Sequence, residues 1–145
     1  MSPSRLYSAV IRNLILIFSK LCYDTFPNLT VTVDENRAVG VDLAVDRSNY
    51  SCDANDISVK VSPATKLCIE VLSPNQAISD LIEKAQLLME NNAMQFWLVN
   101  PFQNAITVFF REGNGALSRK DYTSDSGIPD PFGGEREIAL SEIFR

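Results

Sequence analysis

Residues 66–72, Lys-Leu-Cys-Ile-Glu-Val-Leu, place apolar side chains on both faces of one β-strand and set a carboxylate among them. Successive residues of a strand point to opposite faces, so Leu67, Ile69 and Val71 share one side and Lys66, Cys68, Glu70 and Leu72 the other. A strand that is apolar on both faces is a central strand with layers above and below it. Glu70 is the exception within it, because a buried carboxylate is costly unless it is paired or binds a cation.

The rest of the chain supplies those layers. Residues 4–22 repeat apolar side chains at Leu6, Tyr7, Val10, Ile11, Leu14, Ile17, Phe18 and Leu21, the spacing of a helix with one wide buried face. Pro27-Asn28 is expected to end this region. Residues 29–33 alternate with period two and are β-branched, and 39–45 form a second strand across the turn Asp34-Glu35-Asn36-Arg37, so the two make a hairpin. Residues 46–65 read as a loop with a short edge strand over 57–61. After the 66–72 strand, Ser73-Pro74-Asn75 breaks the chain, with Ser73 expected to cap a helix that runs to about Asn91. Strands follow at 95–100, 105–111 and near 116–122, and the apolar ending Ile138 to Phe144 is expected to pack back on the core. Helices interleaved with strands in this order argue for an α/β fold, a central mixed β-sheet flanked by α-helices, as a single domain over residues 1–145.

Composition removes whole classes of chemistry. The chain has no histidine, which excludes the Ser-His-Asp triad and His-ligated zinc. Any metal must be held by oxygen, which favours Mg²⁺ or Mn²⁺. The three cysteines, Cys22, Cys52 and Cys68, include no CxxC pair. Cys22 and Cys68 read as buried thiols, and a reducing cytoplasm fits best. The apolar run Leu14 to Phe18 is too short to span a bilayer, so no membrane partner is expected. A net charge of −5 argues against bulk nucleic-acid binding and leaves room only for weak or local contacts to DNA. Phe109, Phe110 and Phe132 offer apolar surface for a homodimer.

Two acids in separate strands, Asp42 in Val41-Asp42-Leu43-Ala44-Val45 and Glu70, precede a lysine, Lys84, on the next helix. Ile69-Glu70-Val71-Leu72-Ser73-Pro74, Asp80, Lys84 and Phe96-Trp97-Leu98-Val99-Asn100-Pro101 together resemble the bacterial Uma-two type of restriction-endonuclease-like proteins, within the PD-(D/E)XK nuclease superfamily. The likeness extends through Ile106-Val108 to Pro131-Phe132-Gly133-Gly134 and the closing segment. It implies a restriction-endonuclease-like sheet on which Asp42 and Glu70 converge at the sheet's edge to bind Mg²⁺ or Mn²⁺, helped by the Val71 backbone carbonyl. Leu72 stands where the superfamily carries its usual lysine, and the resemblance implies that Lys84 takes over that catalytic role. Asp80 would orient Lys84, and Gln95 would support the site. The chain departs from the family with Val41 for Pro, Met89 for Tyr, Gln95 for Glu, Asn100 for Asp and Tyr7 where many members carry His. Relative to the family it reads as shortened before the first helix.

The expected function is metal-dependent hydrolysis of DNA phosphodiester bonds. The competing expectation is a catalytically degenerate member of the fold that serves as a binding or assembly module. Taken by itself, the Asp80–Lys84 spacing is that of a surface i,i+4 pair, worth only about 0.2–0.5 kcal/mol. Trp97 and Phe96 are expected in the core.

Overall fold

A computed structural model describes residues 4–47 and 61–145. The first helix, α1 (Arg5–Lys20), is capped by Ser4, whose hydroxyl accepts from the Tyr7 amide at 3.1 Å. It ends where Cys22 takes a left-handed backbone, φ 65°. Cys22 is exposed, not buried as its apolar neighbours suggested, because this turn swings it outward.

The hairpin is longer than expected. Strand β1 spans Asp24–Asp34 and β2 spans Arg37–Asp46. Pro27 lies inside β1 and does not end the preceding region. β1 is an edge strand, where a missing backbone donor is tolerated. The edge strand expected over 57–61 falls outside the described residues except for Val61, whose carbonyl accepts from the Thr32 amide at 2.7 Å. Cys52 also falls outside them.

The central strand β3 (Leu67–Val71) is buried along its whole length. Helix α2 (Ile78–Glu90) then crosses over to β4 (Gln95–Asn100), which pairs parallel with β3. Its N-cap is Ala77 without a side-chain bond, and Ser73 instead donates from its amide and hydroxyl to the Gln76 side-chain oxygen. Four intervening residues place Ser73 too early to cap. At the other end of α2 the Arg111 guanidinium donates to the Met89 carbonyl. Strands β5 (Ala105–Arg111) and β6 (Leu117–Tyr122) complete a six-stranded sheet in the order β1-β2-β3-β4-β5-β6, antiparallel except for β3–β4. A small hairpin, β7 (Gly127–Pro129) with β8 (Glu137–Ala139), and a last turn of helix, α3 (Leu140–Ile143), close the chain.

Two cores follow from the alternation of β3. Leu67, Ile69 and Val71 join Trp97, α1 and the closing segment on one face. Cys68 joins Phe96 and α2 on the other. On the first face Asn13, 1% exposed, donates to the Ile143 carbonyl at 2.9 Å, and tethers α3 to α1. Phe132 packs its ring on Tyr23 at 4.7 Å, and the Tyr23 hydroxyl bonds to Asp130 at 2.5 Å. Phe132 is therefore partly spent inside the molecule. No described helix is long and apolar enough to cross a membrane.

Candidate active site

Asp42 approaches from β2, Glu70 from β3 and Lys84 from α2. The β2–β3 ladder pairs Val45 with Leu67, Ala44 with Cys68 and Leu43 with Ile69, and stops there. Asp42 and Glu70 are the next residues in that register, so they meet where the two strands part. A local irregularity accompanies the parting. The β1–β2 register lacks the rung between Asn28 and Asp42, and Asn28 has a left-handed backbone, φ 53°. β2 changes faces at this point: Leu43 and Val45 belong to the core under α1, whereas Val39 and Val41 pack with the core under α2.

Asp42 takes over the bond that a continued ladder would have made. Its Oδ2 accepts from the Val71 amide at 2.8 Å. The N–H and C=O of one strand residue point to the same edge, so the Val71 carbonyl also looks into the gap between β2 and β3. The acids thus meet at the C-terminal end of a central strand, inside the sheet rather than along its edge.

Glu70 is 3% exposed. Its Oε1 lies 2.5 Å from Lys84 Nζ, and the same ammonium donates to the Gly40 carbonyl at 2.9 Å. Lys84 is therefore held over the site by one carboxylate and one backbone oxygen. Burial first, and then hydrogen bonding and charge from Asp42, push the Glu70 carboxyl up to about 8, with Lys84 pulling the other way. The Tyr7 phenol is pushed up by burial, then by Asp42 and Glu70. Two carboxyls pressed together in a desolvated site hold a proton unless a stronger cation replaces it.

The donor set is hard oxygen: two carboxylates and one backbone carbonyl. Among the described residues no group of three or more His, Cys, Asp or Glu side chains is placed to hold a metal. A dication here would complete its shell with water or substrate oxygen, a pattern that suits Mg²⁺, which keeps several waters and needs only one or two carboxylates.

Two expected supporting residues are not brought to this cluster. Asp80 is exposed in the first turn of α2, and no ion pair joins it to Lys84. Lys84 turns instead to Glu70 and Gly40. Gln95 lies opposite Leu67, three rungs from Glu70 and on the α1 face, where its side-chain oxygen accepts from the Trp97 indole at 3.0 Å. The parity of β4 puts it there. Conversely, the sequence places Tyr7 only on a buried helix face. Its signal was an aromatic hydroxyl at the leading end of the apolar stripe that continues through Val10 and Leu14. Nothing in the sequence marks the Gly40 carbonyl.

The profile of the Uma2 family, described as "putative restriction endonuclease", matches residues 1–141. The chain belongs to that family. No curated protein matches. A solved structure described as a putative nuclease from Anabaena variabilis shares the fold at 18% identity with a TM-score of 0.81, and the alignment covers 99% of this chain and 83% of that one. The expected central mixed sheet flanked by helices is thus shared with that solved structure.

Proposed function

We propose that this Uma2-family chain is a metal-dependent endonuclease that hydrolyses phosphodiester bonds of DNA. The observation that carries the reading is the meeting of Asp42, Glu70 and Lys84 in the gap between β2 and β3. Family membership supplies the nuclease class. Asp42 and Glu70, with the Val71 carbonyl, would hold Mg²⁺ or Mn²⁺. Such an ion lowers the pKa of a bound water and stabilises charge that develops on phosphate.

The remaining roles belong to the chain. The Val71 amide fixes one oxygen of Asp42. Glu70 supplies a carboxylate on loss of its proton. Lys84 carries a positive charge anchored at two points, so it can place the attacking water or neutralise a phosphate oxygen without reorganising. With a net charge of −5, contact with DNA is local, and binding weakens steeply with salt.

The test is nicking of supercoiled plasmid in Mg²⁺ or Mn²⁺ by the purified protein and by Glu70→Ala. Nicking by the wild type alone is expected. Equal residual nicking by both proteins would overturn the reading and return the chain to the degenerate binding module.

A further inference from the structure

We infer that Asn28 is a positioning residue for the metal site, whose left-handed backbone opens the β1–β2 ladder opposite Asp42 and lets that carboxylate turn into the gap beside Glu70. This deepens the nuclease reading and rests on it. Among the described residues of β2, Asp42 alone joins neither the ladder to β1 nor the ladder to β3. The position facing it on β1 is Asn28, flanked by the intact rungs Pro27–Leu43 and Leu29–Val41. Asn28, with φ 53°, is the one left-handed residue within β1.

The break matters because of where strand side chains point. In a regular strand they stand perpendicular to the sheet, so a β2 held by both ladders would aim residue 42 at one of the two cores. Asp42 instead reaches sideways, and its Oδ2 accepts from the Val71 amide of the neighbouring strand at 2.8 Å. That direction requires β2 to rotate about its own axis at Asp42, and the cores record the rotation. Leu43 lies in the core under α1 and Val41 in the core under α2, although residues two apart in a strand share a face. The left-handed residue interrupts the extended path of β1 at the level of Asp42 and releases one side of β2. The end of the β2–β3 ladder at Leu43 releases the other. Asparagine holds a left-handed backbone more readily than most non-glycine residues, whereas a β-branched residue resists it. Asn28 is exposed, so a substitution there leaves both cores intact.

The experiment compares wild type, Asn28→Gly, Asn28→Val and Asn92→Val by two measurements. One is hydrogen exchange of the Val71 amide in EDTA, taken as protection relative to the Ile69 amide of the same strand. The other is Mn²⁺ affinity by calorimetry. Asn92 is the control, because it also has a left-handed backbone, φ 71°, but its carbonyl accepts from Thr65 before the start of β3, whereas the site lies at the end of that strand. Asn28→Gly keeps the left-handed backbone and should match wild type in both measurements. Asn28→Val is expected to lose the relative protection of Val71 and to bind Mn²⁺ about tenfold more weakly, since the metal-competent backbone is then populated against its steric cost. Asn92→Val is expected to lower the melting temperature yet keep the Val71 protection ratio and wild-type affinity. Unchanged Mn²⁺ affinity in Asn28→Val, or an equal loss of the protection ratio in Asn92→Val, would overturn the assignment. Absence of Mn²⁺ binding by the wild type, with the protection ratio still lost in Asn28→Val, would instead overturn the metal-dependent reading and leave the hold of Asn28 on Asp42 standing.

Discussion

Glu70→Gln isolates the proton held by the two carboxyls. In the metal-free protein the Glu70 carboxyl is raised from 4.5 to about 8, chiefly by burial and then by Asp42. The folded state therefore binds more protons than the unfolded chain between those two values. Stability from this source is complete below about pH 4.5 and is lost as pH rises through about 8. At about 1.4 kcal/mol for each tenfold difference in proton affinity, the upper limit is about 5 kcal/mol. For a chain of this size that corresponds to a fall in melting temperature on the order of 10 °C. No histidine titrates within this window, because the chain has none. Thermal melts in EDTA from pH 5 to 9, followed by far-UV circular dichroism, should show the fall in wild type. They should show a much flatter profile in Glu70→Gln, whose amide cannot ionise. A wild-type profile that is flat or rises with pH, or an identical fall in the variant, would refute the account of the site.

Three further outcomes follow from named contacts. Lys84→Met should retain the fold and abolish nicking, since the ammonium held by Glu70 and Gly40 is lost while the two carboxylates remain; far-UV circular dichroism and plasmid nicking together check this. Asp42→Ala strips the Val71 amide of its partner, which should cost about 1–3 kcal/mol in urea unfolding, and it should also eliminate any rise in melting temperature with Mn²⁺. Asn13→Ala leaves the Ile143 carbonyl without its buried donor; a loss of about 1–3 kcal/mol is expected, with faster amide exchange concentrated in 140–145.

The sheet was largely legible from periodicity. The strand over 66–72 announced two cores because its apolar residues occupy both parities, and the structure fills both faces. The strands at 95–100 and 105–111 and the helix ending near Asn91 lie where their patterns placed them. The ends of elements were less legible. Pro27 resembled a terminator because proline lacks a donor, yet an edge strand does not need that donor. Ser73 resembled a cap because of its residue type, but capping requires a position next to the first turn, which Ala77 occupies.

For the site, residue types and spacing singled out Asp42 and Glu70, because a charge inside an apolar strand must be answered by another group, whereas Lys84 was singled out by the family resemblance. What the order of residues alone left open was which groups answer. The Asp80–Lys84 spacing and the position of Gln95 both suggested supporting contacts, and in the fold Lys84 turns away from Asp80 while strand parity sends Gln95 to the opposite face. Tyr7 lies far from Asp42 along the chain, and only the seating of α1 on the sheet brings its phenol within the electrostatic influence of that carboxylate. The linear sequence determined the layers, since these follow from local patterns of polarity. The parting of β2 from β3, and with it the geometry of the site, was decided by tertiary structure, because a broken ladder depends on three strands at once.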